Sequence, residues 1–241
     1  WQASDDAGFR HGLTLLGEGV APQTSVLDLL HVVPHTRTLA VAGGGDLHLL
    51  WIDAPYGEES AGMRLWSMGL TPALARSRWP LRLAETRVDA YATLPEPGGA
   101  LRVIYSGGLR AEPDLFTVYI DALGRPRTPE RIARDVRWPQ LLRDSAGTAH
   151  VFYQRASDRT LMHGILTDDT MSEPVALTTA PRLDPADRLL DVRAGVDATH
   201  GYVFWNLARA DGTAQTWVAA GPLDGESWSA PRLLEGVTRV S

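Results

Sequence analysis

Two tripeptides concentrate the chemistry of this sequence. Arg78-Trp79-Pro80 and Arg137-Trp138-Pro139 repeat one order: a cation, a broad flat ring and a rigid kink. A guanidinium grips carboxylates and phosphates with two parallel bonds, and an indole face stacks on a sugar ring. Arg155 and Asn206 follow hydrophobic runs that end in an aromatic residue, as do Asp53, Ser106 and Gln154. Together, Arg78, Trp79, Arg137, Trp138, Arg155 and Asn206 form the candidate ligand-binding set, a rim with aromatic walls and a few converging polar groups. Three arginines there favour an anionic ligand at short range. The competing reading is packing: the indoles fill gaps between elements, the arginines lie over them, and the remaining polar residues are solvated loop.

Other chemistry is poorly supplied. His48 and His150 hold the same place in two hydrophobic runs, but no acidic residue accompanies them in those runs, so a bonded structural histidine is preferred to a metal ligand. Asp5-Asp6, Glu58-Glu59 and Asp168-Asp169 lack the Asp-x-Asp-x-Asp-Gly order of a calcium loop. Gly-x-Ser-x-Gly, His-Glu-x-x-His and the glycine-rich phosphate loops do not occur. The sequence therefore names no catalytic residue, no metal site and no cofactor.

The elements that carry these residues repeat. Leu47–Trp51, Leu101–Tyr105, Ala149–Tyr153 and Gly201–Trp205 are hydrophobic runs capped by an aromatic residue, at a period of about 50 residues. A turn precedes each: 43–46, 96–99, 144–147 and 197–200. First strands are expected near Thr38–Val41, Asp89–Thr93, Pro139–Arg143 and Asp191–Ala194, lining one axis. Third strands are expected at Met63–Met68, Leu115–Ile120, Leu161–Leu166 and Thr216–Ala220. A proline marks each fourth strand, at Pro72, Pro129, Pro174 and Pro231. Four short antiparallel strands per repeat make a β-propeller blade. The expected fold is all-β: a propeller of four full four-stranded blades plus a partial one. The blades fall near 1–32 (partial), 33–78, 79–135, 136–183 and 184–241, and another blade or chain completes the ring. Short helices are conceivable only at Ser25–Val32, Ser77–Thr86 and Asp184–Leu190. On this reading Arg78–Pro80 and Arg137–Pro139 lie just before first strands, on the rim shared with the ends of the second strands.

Composition sets limits. The chain has 241 residues, 44% of them hydrophobic and 22% charged, enough to bury a core. It has no cysteine, which removes thiol nucleophiles and cysteine-ligated metals. A formal charge of −6 argues against nucleic acid, and no apolar run is long enough for a membrane helix. Every basic residue is arginine, so Schiff-base and P-loop lysine chemistry are absent.

Ser4-x-Asp6-x-Gly8, Asp224-Gly225-Glu226-Ser227-Trp228 and Thr167-Asp168-Asp169-Thr170-Met171 resemble the Asp-box of sialidase-like (BNR-repeat) propellers, Ser/Thr-x-Asp-x-Gly-x-x-Trp. The hairpin Asp144–Tyr153 resembles that family's inner strands. The resemblance implies a turn between outer strands with the last side chain packed between blades. Asp-boxes are structural in that family, so the resemblance implies fold and not activity; the arginine motif that opens those enzymes' active sites has no counterpart here, the nearest string being Arg182-Leu183-Asp184-Pro185, and no catalytic residue carries over. The expected function is a non-catalytic, extracellular or periplasmic module that binds a glycan, peptide or partner protein. The alternative is a fragment of a sialidase-like glycoside hydrolase or a polysaccharide lyase whose catalytic motif lies outside this chain.

Overall fold

The computed structural model describes residues 2–5, 8–17, 20–27, 38–41, 47–53, 63–73, 75–108, 112–182, 186–224 and 227–235, with the backbone alone up to residue 41. The fold is all-β, built of antiparallel sheets with the strand order of propeller blades. An N-terminal sheet holds β1 (Gln2–Asp5), β2 (Gly8–Gly17) and β3 (Val20–Leu27). Four further sheets each run in chain order. They are β4 (Thr38–Val41), β5 (Leu47–Asp53), β6 (Arg64–Leu70) and β7 (Leu81–Arg82); β8 (Val88–Pro95), β9 (Leu101–Gly107), β10 (Asp114–Ile120) and β11 (Glu130–Ala133); β12 (Val136–Arg143), β13 (Ala149–Arg155) and β14 (Thr160–Thr167), whose far edge is divided between β15 (Thr170–Met171) and β16 (Val175–Thr179); and β17 (Arg188–Val196), β18 (His200–Ala208), β19 (Ala214–Pro222) and β20 (Arg232–Leu233).

Burial explains the sequence pattern. The second strands β5 and β9 are buried at every residue, and β13 at all but its last. A strand covered on both faces reads as a continuous apolar run, not as an alternation. Trp51, Tyr105, Tyr153 and Trp205 end these runs and are all buried. β10 largely alternates, as a strand with one covered face does. β7 and β20 are two residues long and exposed, each with an arginine, which blunts an open sheet edge.

Two of the first-to-second turns are closed by aspartates. Asp144 Oδ1 accepts from the N–H groups of Ala146 and Thr148 at 2.9 and 2.8 Å. Asp197 Oδ1 accepts from Thr199 and His200 at 2.8 and 2.7 Å. The expected turn at 43–46 lies outside the described residues.

The N-terminal sheet, expected as a partial blade, has three strands in the order β1-β2-β3. Ser77–Thr86 is not helical: Pro80 interrupts it, and the N–H groups of Ser77 and Leu83 bond to Gly69 and Leu65 on β6. Of the other two helix candidates, Ser25–Leu27 lies in β3 and Arg188–Leu190 in β17; 28–32 and 184–185 lie outside the described residues.

The chain clusters into two compact units. The first is Trp1–Val88, Pro95–Val103 and Val118–Pro129; the second is Asp89–Leu94, Ile104–Thr117 and Glu130–Ser241. Leu47, Leu49, Trp51, Met68 and Leu70 form a core in the first unit. In the second, one cluster is centred on Val151 and Tyr153 and another on Phe152, Val203 and Trp205. There β12 lies against β17, so the first strands of two successive sheets are neighbours, as inner strands of a propeller are.

Candidate functional site

In the first unit a cavity of about 290 Å³ opens at the far end of β5 and β6. Buried His48 and Ser67 line it from those strands, and Arg78, Trp79 and Leu81 line it from the segment that becomes β7. Ile120, Leu123, Gly124 and Arg125 line it from the third-to-fourth turn of the next sheet, which belongs to the same unit.

Local structure fixes Arg78 here. Its N–H bonds to the Gly69 carbonyl at 3.2 Å. Its side chain crosses to the 121–125 turn, where Nη2 donates to the Ala122 carbonyl at 3.1 Å. Glycines stand beside it at both ends, Gly69 and Gly124. A Cβ on Gly69 would meet Arg78 Cβ at 3.2 Å, and one on Gly124, at φ +73°, would overlap the guanidinium. Arg78 is thus half-buried, and part of its role is to clasp the turn.

Trp79 is set differently. It is 73% exposed, the most exposed of the large apolar residues described. Arg76 lies over one face, with Cζ 3.6 Å from the ring centroid. At 73% exposure, most of the indole surface outside that contact is open. Exposed Leu81 and Leu123 complete an apolar lip. Arg125 is paired with Asp121 through Nε and Nη2, both at 2.8 Å, and those bonds with the Arg125 backbone N–H hold the Asp121 carboxyl below its usual range.

The position of Arg78 and Trp79 differs from the sequence expectation. They precede the fourth strand β7, not a first strand. His48 pairs with Gly69 at their end of the sheet, whereas Asp53 pairs with Arg64 at the other. Arg78 and Trp79 therefore do not share a rim with the second-strand end that carries Asp53. The two Arg-Trp-Pro tripeptides are not structural equivalents, because Arg137–Pro139 lies within β12.

In the second unit Arg137 and Arg155 lie at one end of their sheet, a rim of β12 and β13. Val136 pairs with Arg155 and Arg137 with Gln154, so the start of β12 and the end of β13 meet. A bulge follows Arg137, and Trp138 takes a left-handed backbone, φ +54°, costly for a bulky residue. Its half-buried ring packs against the cluster around Phe152 and Trp205. Arg137 is exposed. Arg155 grips Asp158 with both arms of its fork, at 3.0 and 2.7 Å, and this holds the Asp158 carboxyl far below its usual range. Asn206 is buried; its amide donates to Asp191 at 2.5 Å and accepts from Thr216 Oγ1 at 2.8 Å, bracing β17, β18 and β19.

The sequence reading missed His163. Buried His150 bonds to Asp144 through Nε2 at 3.1 Å and to His163 Nε2 through Nδ1 at 2.9 Å. The partner comes from the neighbouring strand β14, which no motif within one run reveals. Burial, reinforced by His150, pushes the His163 pKa down to about 4. Both ring nitrogens of His150 are engaged by side chains. Among the described residues no group of three or more His, Asp or Glu is arranged to hold a metal.

No protein-family model and no curated protein matches the sequence. Solved structures do resemble it. A protein of unknown function from Dyadobacter fermentans is 13% identical, with a TM-score of 0.57 over 84% of this chain and 69% of that one. The catalytic domain of a GH62 α-L-arabinofuranosidase from Coprinopsis cinerea is 15% identical, with a TM-score of 0.51 over 81% of this chain and 66% of that one. A PL25 ulvan lyase is 12% identical, with a TM-score of 0.54 over 85% and 58%. At these identities the likeness is one of fold, and the chain spans about two thirds or less of the length of the two enzymes.

Proposed function

We propose that the protein is a non-catalytic propeller module that binds a glycan at the Trp79 cavity. The observation that carries this reading is Trp79 itself, exposed and backed by Arg76 beside a cavity of about 290 Å³. A solvent-facing indole is costly unless something covers it, and the hydrogens of a sugar face suit its electron-rich surface. Arg78 and Ser67 offer polar groups to ring hydroxyls. That two proteins of similar fold are named for acting on arabinofuranosides and ulvan supports a saccharide as the ligand class.

The non-catalytic part rests on the carboxylates. Glycoside hydrolysis by a carboxylate pair needs one acid whose pKa is raised. Among the described residues, each carboxyl group with a displaced pKa (Asp121, Asp144, Asp158, Asp197 and Asp211) is displaced downward by hydrogen bonds. In the second unit Arg155 and Asn206 serve the scaffold, because their polar groups already hold Asp158, Asp191 and Thr216, and Trp138 packs; Arg137 is the exposed member of that rim. Trp228, which closes the third-to-fourth turn over Gly221, supports kinship with Asp-box propellers. A glycan ligand fits work outside the cytoplasm.

The test is titration calorimetry against a panel of oligosaccharides, with product analysis of the same mixtures. Trp79→Ala is expected to abolish binding while leaving the melting temperature unchanged, because the ring is exposed. Binding that survives Trp79→Ala, or release of shorter sugars by the wild-type protein, would overturn the proposal.

A further inference from the structure

The cation on Trp79 points to what kind of glycan the cavity takes. Arg76 is exposed, stacks on the indole at 3.6 Å, and pairs with no carboxylate among the described residues. A stacked guanidinium commits only its flat face to the ring. Its N–H edge is left as a fork that matches two oxygens of an anion. The ring also shields that edge from water on one side, which strengthens what it binds. Arg78 and Arg125 line that cavity, and Arg125 is paired with Asp121. Three arginines, Arg76, Arg78 and Arg125, thus gather around Trp79 and its cavity on a chain of net charge −6.

Resting on the reading of the cavity as a glycan site, we infer that the ligand is an acidic oligosaccharide, with one sugar ring on the open face of Trp79 and the anionic group of a neighbouring sugar on the edge of Arg76. The shared chemistry is an anionic oxygen pair, carried by a uronate carboxylate or by a sulfate ester. Arg76 and the open indole face lie on opposite sides of the ring. One sugar does not reach both, so the preference for acid requires at least two residues.

The probes are a neutral galactose tetramer, a galacturonate tetramer, a sulfated galactose tetramer, and the monomers galactose and galacturonate. In low salt at least one acidic tetramer binds about ten-fold tighter than the neutral one, as one added ionic hydrogen-bonded contact gives. The gap narrows at about 1 M salt, where the screening length falls to about 3 Å. The monomers show no gap. Arg76→Gln removes the gap and keeps the neutral affinity, and Arg76→Lys restores part of it. A gap for one acidic tetramer alone supports the inference and identifies its anion. Equal binding of neutral and acidic tetramers, or a gap that survives Arg76→Gln, overturns the acidic ligand and leaves the glycan reading standing. Failure of every tetramer to bind overturns the glycan reading itself.

Discussion

At the scale of single residues, the buried histidine pair is the most consequential feature outside the cavity. His163 is held neutral in the fold, with its pKa pushed down from 6.5 to about 4 by burial and by His150. The unfolded chain binds a proton there near pH 6.5 and the folded chain does not. The unfolded state therefore holds more protons between these values, and stability falls as pH drops through that window. The full difference is about 3 kcal/mol, reached near pH 4. Asp144, whose carboxyl is lowered by its bond to His150, acts in the same direction but below pH 3.8, outside the window. His163→Gln is expected to flatten the dependence of urea-unfolding free energy on pH between 6.5 and 4. A slope unchanged by the substitution would show that other groups carry it.

At the scale of elements, the turn after the third strand has a common construction. Gly69 on β6, Gly164 on β14 and Gly221 on β19 each lie beneath a side chain delivered by the segment beyond that turn: Arg78, Met171 and Trp228. A Cβ on Gly221 would meet Trp228 Cδ1 at 2.5 Å and its Cα at 2.8 Å, so a backbone atom as well as the ring would have to move. Gly221→Ala should cost about 1–3 kcal/mol by overpacking. Gly147→Ala, at φ +90° with nothing within 4 Å, should cost only the left-handed penalty of about 1–2 kcal/mol. Combining Gly221→Ala with Trp228→Leu should recover part of the loss, because the two positions are in contact. Additive losses in denaturant melts would dissociate the glycine from the ring. The same glycines show why the sequence was legible for the fold and only partly for the site. Turns and fully covered second strands repeat with fixed composition, so Leu101–Tyr105 and Ala149–Tyr153 announce themselves. Arg78-Trp79-Pro80 and Arg137-Trp138-Pro139 share letters but not position, and only the hydrogen bonds of Ser77 and Arg78 to Gly69 reveal that the first belongs to a third-to-fourth turn. Asn206 looked available because its partners Asp191 and Thr216 lie on neighbouring strands, and Arg155 because only the turn after β13 folds Asp158, three residues on, back against it.

For the whole molecule, the absence of lysine and cysteine has a consequence that the cavity inherits. All 23 basic residues are arginine, and guanidinium stays protonated beyond pH 12. Tyrosines ordinarily ionise near pH 10, and burial pushes Tyr153 up to about 12. From the top of the histidine range to about pH 9.5, the side chains have almost nothing to titrate, and the net charge of −6 persists. The affinity for an acidic tetramer should accordingly stay within about two-fold from pH 7 to 9.5, a range over which an ammonium-based site would begin to fade. Chemical modification should divide the same way. Acetic anhydride, which attacks amines, should leave binding intact. Phenylglyoxal, which attacks guanidinium groups, should remove it, and a bound acidic tetramer should shield Arg76 in a peptide map of the product. A several-fold loss of affinity between pH 7 and 9.5, or a peptide map in which Arg76 reacts equally with and without the tetramer, would mean that the anion is held by something other than the guanidinium on Trp79.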